Sequence, residues 1–200
     1  MSISAATPNA RRNILETAQR IMASKGFSAV GLNEILIAAS VPKGSFYHYF
    51  SSKDAFGEAL LRHYFEDYLA ELDETLSQPG LDMAQRLMVY WQHWQDTQER
   101  FDFQGKCLAV KLGAEVADLS DAMRLALKSG TVAIIDRLTS AIEAGIAERS
   151  LAVEDNPHQI AQTLYHIWLG ASLMAKITRS AGPFQTARAA TRQLLHLPER

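Results

Sequence analysis

The stretch from Val41 to Phe50 combines basic, hydroxyl and aromatic side chains at helical spacing. It reads Val-Pro-Lys-Gly-Ser-Phe-Tyr-His-Tyr-Phe. Helical periodicity puts three of its aromatic rings on one face, where they are expected to pack on a small core; they are Phe46, Tyr49 and Phe50. The opposite face is polar and consists of Lys43, Gly44, Tyr47 and His48. A lysine beside exposed Tyr and His suits contacts to phosphates and base edges, so this face predicts a short helix that meets DNA.

Two residues near the start of this segment support that prediction. Pro42 suits the first helical position, because its fixed φ fits a helix and its missing N–H would have no partner there. Gly44 has no side chain to hold a partner away, so a nucleic-acid backbone can approach closely at that turn.

Cys107 is the second candidate for chemistry. It is the only cysteine in the chain and therefore cannot form an internal disulfide. It opens an apolar helix after a loop at 101–105, where helix N-terminal amides stabilise a thiolate, and Lys106 and Lys111 add positive charge. A thiolate there would react with electrophiles or oxidants. The alternative is a buried structural cysteine that packs as a small apolar residue.

A third group could bind a ligand. Several aromatic residues are candidates to line a pocket between helices, although core packing is the alternative for each; they are Trp91, Trp94, Phe101, Phe103, Tyr165 and Trp168. Lys176 is a lone cation in an apolar helix, where an unpaired buried charge would be costly. It is expected to contact an anionic ligand or the Cys107 thiolate, or else to extend to the surface.

These residues must be positioned by helices, because apolar residues recur at helical spacing and no alternating strand pattern occurs. The first helix is capped by Thr7 or Asn9 and closed by Gly26, the second starts at Gly31, and the fourth runs from Ser51 or Ser52 to about Leu76. Five further helices are expected at about 82–100, 106–117, 120–149, 157–181 and 184–197. The predicted fold is all-α with about nine helices. Apolar residues surround much of 157–181, so this helix is expected to be buried on more than one side. It is buried either within one body or against a second copy of the chain, and the weakly charged helix at 184–197 favours the second copy.

Composition narrows the function classes. The hydrophobic content of 48% suits a globular core, and the net charge is −2. Residues 1–62 hold seven Lys or Arg against four acids, a net charge of +3, whereas the remainder holds 13 against 18, a net charge of −5. A basic head on an acidic body favours a DNA-reading module joined to another domain. No run spans a bilayer and no signal segment is evident, so a cytoplasmic location without membrane contact is expected.

Enzyme and metal motifs are not found. The sequence has no nucleophile elbow, phosphate-binding loop or dinucleotide fingerprint, so no catalytic residue and no cofactor is predicted. The six histidines never fall at i, i+3 or i, i+4, and one cysteine cannot build a structural zinc site, so no metal is expected.

Residues 10–60 resemble the N-terminal DNA-binding module of TetR/AcrR-type transcriptional regulators. The resemblance runs from Arg12-Asn13-Ile14-Leu15 through Gly26-Phe27 to Lys43–Phe50 and Ser52-Lys53. Beyond it, the chain is similar in architecture: a helical ligand-sensing domain whose last two helices form a four-helix dimer interface. Within the family, the segments at 105–112, 114–116 and 175–177 resemble the electrophile-responsive branch of repressors.

The resemblance implies roles for individual residues. Lys43, Ser45, Tyr47 and His48 would touch DNA, and Lys53 would hold a phosphate. Many members have Thr or Ser opening the second helix where this chain has Gly31, whose amide could serve instead, and Gly in the turn where it has Ser40. The expected DNA-contacting set is therefore Gly31, Pro42, Lys43, Gly44, Ser45, Tyr47, His48 and Lys53.

The resulting hypothesis is a dimeric repressor. Residues 1–51 form a three-helix helix-turn-helix domain, 52–76 a bridging helix, and 77–200 a sensing and dimerisation domain. Two heads in successive major grooves would bind an inverted-repeat operator in double-stranded DNA, and a small molecule or electrophile would release them. The alternatives are an all-α enzyme or small-molecule carrier without DNA binding, and a helical protein-interaction module.

Overall fold

The protein is described from a computed structural model that covers residues 8–103 and 107–198, with side chains over 10–99 and 107–198. These residues form nine helices and no strand, which confirms the predicted all-α fold. The helices are α1 Pro8–Lys25, α2 Leu32–Ala38, α3 Lys43–Tyr49, α4 Lys53–Leu76, α5 Met83–Phe103, α6 Leu108–Leu119, α7 Asp121–Ala147, α8 Pro157–Thr178 and α9 Gly182–Leu194. Among them, none combines the length and apolar character that crossing a bilayer requires.

Local signals account for the helix ends. Gly26 ends α1 with a φ of 93°, a conformation that glycine adopts at little cost. The carboxamide oxygen of Asn156 caps α8 by accepting from the N–H groups of His158 and Gln159 at 3.0 and 3.1 Å, and Pro157 occupies the first turn. α8 stops at Thr178, before the predicted residue 181, because Arg179 turns into the left-handed region with a φ of 51°.

The described residues divide into two compact units. The first comprises residues 8–66 and 107–129, and the second comprises 67–103 and 130–198. α4 and α7 each begin in the first unit and end in the second. The sequence predicted a DNA-binding domain up to residue 51, a bridging helix up to residue 76 and a sensing domain after it. That division concerns function and not compactness, and it stays a prediction.

The first unit packs α1, α2 and α3 around aromatic rings. Phe46, Phe50 and Phe56 are each at most 3% exposed, and their ring centroids lie 5.1 to 5.4 Å apart. The Asn13 amide donates to the carbonyl of Ala39 at 2.8 Å, which joins α1 to the end of α2. This core fixes the angle between α2 and α3.

The second unit is centred on α5, α8 and α9. Trp91, Trp94 and Trp168 lie in its core, each at most 4% exposed. The Trp168 Nε1–H donates to Thr191 Oγ1 at 2.9 Å, so the α8–α9 packing includes a satisfied polar group as well as apolar contacts.

Candidate DNA-binding face and sensor cysteine

The turn between α2 and α3 has the hydrogen bonds of a Schellman motif. The Val41 N–H donates to the Leu36 carbonyl at 2.9 Å, and the Ser40 N–H donates to the Ile37 carbonyl at 3.1 Å. This closure requires a left-handed residue, and Ser40 adopts it with a φ of 55°. A side chain there costs roughly 1–2 kcal/mol relative to glycine, which is consistent with the glycine that the family resemblance leads one to expect at this position.

The predicted position of Pro42 is wrong by one residue. Its φ of −61° fits a helix, but its ψ of 143° is extended, so it is the N-cap of α3 and not the first helical residue. Its carbonyl accepts from the Ser45 N–H at 2.9 Å, as an N-cap carbonyl does. α3 therefore begins at Lys43.

The two predicted faces of α3 are both present. Phe46 and Phe50 are buried at 1% and 3% exposure, as predicted for the core side, whereas Tyr49 is partly exposed. Tyr47 is 61% exposed, and the other members of the polar face are also exposed; they are Lys43, Gly44 and His48. No atom lies within 4 Å of a Cβ built at Gly44, so no packing inside the protein requires a glycine there.

The remaining predicted DNA contacts border this face. Gly31 is the N-cap of α2 with an extended backbone, and a Cβ there would also meet open space. Ser45 is partly exposed. The ammonium of Lys53, at the start of α4, lies 4.9 Å from the centre of the Phe27 ring, a cation–π contact that fixes the side chain near the α1–α2 turn.

Cys107 is the N-cap of α6, with a φ of −68° and a ψ of 107°. Its side chain is 8% exposed, and the Tyr64 hydroxyl donates to Sγ at 3.4 Å. The amide of Lys111 donates to the Cys107 carbonyl at 3.0 Å and begins the helix. The thiol therefore lies at the end of a helix, as the sequence predicted, and beside a hydroxyl donor that the sequence did not reveal. Lys106, expected to assist the thiol, lies outside the described residues.

The other part of α6 is joined to the α1–α2 turn by Glu115. One carboxylate oxygen accepts from the Ser28 N–H at 2.7 Å and the other from the Phe27 N–H at 3.1 Å. Partial burial raises the pKa of Glu115, but hydrogen bonds from Ser28 and Phe27 and the charge of Lys111 outweigh it, so the pKa lies below its usual value of 4.5. A carboxylate on α6 thus holds the turn that precedes the helix-turn-helix.

The aromatic candidates for a ligand pocket pack closely against one another in the second unit. Trp91 and Trp168 stack at 4.9 Å with 14° between their planes, and Tyr165 is 2% exposed with its ring edge toward Trp94 at 5.8 Å. The Trp94 Nε1–H donates to Ser172 at 2.9 Å, whereas the buried Nε1–H of Trp91 has no hydrogen-bond acceptor among the described residues. Core packing accounts for their burial, and their role in a pocket stays a prediction.

Three other predicted sensor residues are placed only in part. Lys176 is partly exposed in the last turn of α8, where a cation interacts favourably with the helix dipole. It belongs to the second unit, whereas Cys107 belongs to the first. The side chains of Phe101 and Phe103 lie outside the described residues.

Two family descriptions match this chain. "Bacterial regulatory proteins, tetR family" matches residues 14–60, and "Tetracyclin repressor-like, C-terminal domain" matches residues 84–191. The chain belongs to the TetR family. It is therefore a DNA-binding transcriptional regulator and not an enzyme, and the alternative of an all-α carrier or enzyme without DNA binding is not favoured.

Whole-chain relatives agree with this assignment. The chain of this TetR-family regulator is 41% identical over 191 residues to the HTH-type transcriptional repressor NemR of Escherichia coli, covering 94% of each chain. It is 33% identical over 178 residues to the transcriptional regulator AcuR of Cereibacter sphaeroides, covering 88% of this chain and 81% of that one. The crystal structure of the reduced form of E. coli NemR superposes with a TM-score of 0.89 at 40% identity, covering 96% of this chain and 100% of that chain.

Sequence reasoning missed Tyr64 and the role of Glu115 in this TetR-family regulator. Tyr64 is one of the apolar residues at helical spacing in α4, so the pattern predicts only that it packs in the core. Glu115 has no feature in the sequence that distinguishes it from other polar residues of α6. Their contacts join residues 43 and 88 positions apart. Periodicity within one helix carries no signal for such distant pairs.

Proposed function

We propose that this TetR-family regulator is a repressor that binds an inverted-repeat operator as a homodimer and leaves it when Cys107 is modified by an electrophile or oxidant. The repressor assignment is supported by NemR and by DhaR of Mycobacterium sp., which is 32% identical over 173 residues; both are named as transcriptional repressors. The proposed location is the cytoplasm, because a DNA-binding regulator acts where its operator DNA is.

The proposed DNA contact is the exposed face of α3. Lys43 supplies positive charge, Gly44 leaves space for a phosphate, and Tyr47 and His48 carry polar tips that reach base edges. Phe46 anchors the opposite face in the core, so the helix is held while its polar side remains open. In a two-fold dimer this geometry suits half-sites about one helical turn apart or slightly more.

The proposed dimer contact is the open face of α8, with α9 beside it. Leu173, Met174 and Ile177 are 50%, 47% and 64% exposed, and Ile177 lies about one helical turn after the other two. Gly170 lies one turn earlier, and a Cβ there would meet no atom within 4 Å. A second copy that packed on this stripe would remove apolar surface from water, at roughly 25 cal/mol per Å².

The observation that carries the release mechanism is that α6 has Cys107 at its start and Glu115 on its third turn. Glu115 holds the Phe27 and Ser28 amides of the turn before the DNA-contacting helices. A group added to the buried Cys107 sulfur needs space that the packed unit does not offer. Movement of α6 would then act on the α1–α2 turn through Glu115 and favour the state that does not bind DNA.

The proposed reaction is conjugate addition to an electron-poor alkene. The Cys107 sulfur forms a bond to the β-carbon, the carbon–carbon double bond becomes single, and the thiol proton ends on the α-carbon. The addition needs no oxidant and no further reactant.

The test uses the full-length protein and N-ethylmaleimide, an electron-poor alkene. Duplexes selected from a random pool would serve as operator, and fluorescence anisotropy would report binding before and after treatment. Because Cys107 is the only cysteine, any thiol adduct is at this site. Treated wild type is expected to lose most of its operator affinity, whereas Cys107→Ser is expected to bind equally well with and without the reagent. Equal loss in both proteins would refute the sensor role.

The dimer is tested separately by sedimentation velocity. Ile177→Glu places a charge on the proposed contact and is expected to give monomers with weakened operator binding. Leu125→Glu, at a residue of α7 that is 52% exposed, is the matched control and is expected to remain a dimer. A dimeric Ile177→Glu protein would place the interface elsewhere.

A further inference from the structure

Ile37 is the most exposed large apolar side chain among the described residues, at 79%. Its neighbours Ile35 and Leu36 supply the buried side of α2, so folding does not require an isoleucine at position 37. Burying such a side chain would be favourable by about 1.5–3 kcal/mol. A single exposed apolar side chain is common on protein surfaces, but Ile37 lies at the end of α2, beside the turn into α3, where it also lines a surface notch.

Beside Ile37 lies a notch of about 340 Å³ between α2, the Schellman turn and the start of α3. Its apolar lining comes from Leu36, Val41 and Pro42, and its polar lining includes Asn33 and Lys43. Asn33 lies one helical turn before Ile37 and is exposed, so both side chains point from the same side of α2.

The notch is continuous with the proposed DNA face, because Lys43 belongs to both. A polar amide, an apolar recess and a cation on one surface match the major-groove edge of an A·T pair next to a phosphate. The thymine 5-methyl is the apolar group of that groove, and an Asn amide matches the N6 and N7 atoms of adenine.

We propose that α2 of this regulator reads an A·T pair: Ile37 and the notch take up the thymine methyl, and Asn33 pairs with the adenine. This inference rests on the proposed binding of α3 to the operator. It adds α2 as a second source of sequence specificity and assigns the discrimination to two residues outside α3.

The experiment removes the methyl group without changing base pairing. Operator duplexes selected with the wild-type protein are resynthesised with each thymine replaced in turn by deoxyuridine. Dissociation constants are measured for wild type and for Ile37→Ala, a substitution that leaves the fold intact because the side chain is exposed. At one thymine position in each half-site, the replacement is expected to lower the operator affinity of the wild-type protein roughly fourfold. This factor corresponds to the free energy of burying about one carbon group. In Ile37→Ala the same replacement is expected to change nothing.

The adenine contact is tested with 7-deazaadenine, which lacks the N7 acceptor. Replacement of the adenine paired with the sensitive thymine is expected to weaken wild-type binding severalfold and to leave the affinity of Asn33→Ala unchanged. Leu125→Ala, which shortens another exposed apolar side chain of the first unit, is the control and is expected to show the full wild-type pattern.

Each other outcome overturns the inference. If the deoxyuridine profile is the same in Ile37→Ala as in wild type, the methyl group is read elsewhere, and the notch serves another occupant such as a second copy or an apolar segment of a protein. If wild type binds the operator but no thymine matters, the notch takes up no methyl group. If the wild-type protein binds no duplex, the proposed operator binding itself is wrong. Failure of the proposed function is thereby distinguished from failure of the inference about α2.

Discussion

Tyr47 in the first unit and the tryptophans of the second unit have opposite environments. α3 of the first unit leaves Tyr47 61% exposed, whereas the second unit buries Trp91 and Trp168 to 1% or less and stacks their rings at 4.9 Å. A buried aromatic ring removes about 150–250 Å² from water, and an exposed one gains little from folding. Packing therefore explains the tryptophans but not Tyr47.

The difference shows where function can be inferred. A single exposed apolar residue is common on protein surfaces and needs no explanation. Tyr47 is informative because it shares one face with a lysine, a histidine and a glycine that no internal packing requires. If this interpretation is correct, truncation should affect stability in one unit and DNA binding in the other.

The largest expected effect is that of Trp168→Ala. The ring is fully buried, stacks on Trp91 and Phe184 and donates a hydrogen bond to Thr191. Its loss should lower the free energy of unfolding by roughly 3–5 kcal/mol, measured by urea denaturation at fixed protomer concentration. A loss below about 1 kcal/mol would mean that the ring already borders a cavity, as the predicted ligand pocket requires.

Tyr47→Ala is the matched comparison. Because the ring is exposed, the free energy of unfolding should change by no more than about 0.5 kcal/mol. Operator affinity should fall, as anisotropy would show. A destabilised protein with unchanged operator affinity would reverse the assignment of the two aromatic groups.

An intermediate effect is expected for Lys43→Ala. If the ammonium contacts a phosphate, its removal should weaken binding to operator and random duplex alike. In a plot of log affinity against log salt concentration, the slope should become shallower by about one for each lysine removed, or about two per dimer. Lys53→Ala should act in the same direction, with an added loss of roughly 0.5–1 kcal/mol in stability from the contact with Phe27.

Lys128→Ala is the control for the salt experiment. Lys128 is an exposed lysine on α7, outside the proposed DNA face. Its replacement should leave the salt slope unchanged. If Lys43→Ala and Lys128→Ala gave the same slope as wild type, the DNA would bind to a different surface.

The fold could be predicted from local patterns, because each helix carries its own periodicity and end signals. Pro157 begins α8 as expected, and Gly26 ends α1. The sequence-based predictions of helix ends were wrong where the end depends on a backbone angle that the residue type does not fix. Pro42 has a helical φ in either position, and only its ψ of 143° makes it an N-cap. Residue type does not determine ψ, so the sequence alone could not place the start of α3 to the residue.

The candidate site could be predicted only where one helix contains it. The exposed face of α3 follows from spacing within residues 43–49. The link from Glu115 to Ser28 and the contact from Tyr64 to Cys107 depend on how separate helices pack, and no spacing rule covers residues so far apart. The sequence therefore predicted the exposed face of α3 better than it predicted how α6 is joined to the α1–α2 turn.

The smallest expected effect tests this connection. Glu115 has a pKa below 4.5 in the folded protein, so its ionised form contributes stability that is present above the unfolded-state pKa and lost as pH falls through the folded-state pKa. Glu115→Gln should therefore be less stable than wild type at pH 7, by at most about 1 kcal/mol because the group is partly exposed to solvent. The difference should shrink as pH falls below about 4.5, measured by urea denaturation across that range.

Glu148 supplies the comparison in the second unit. Its pKa is also lowered, mainly by the hydrogen bond that its carboxylate accepts from the Met83 N–H and also by Ser150. Glu148→Gln should lose stability with the same pH dependence, but N-ethylmaleimide should release it from operator as it releases wild type. Glu115→Gln should instead be alkylated normally and released less. If both variants respond like wild type, the Glu115 contact stabilises the first unit without transmitting the state of Cys107, and the signal takes another route.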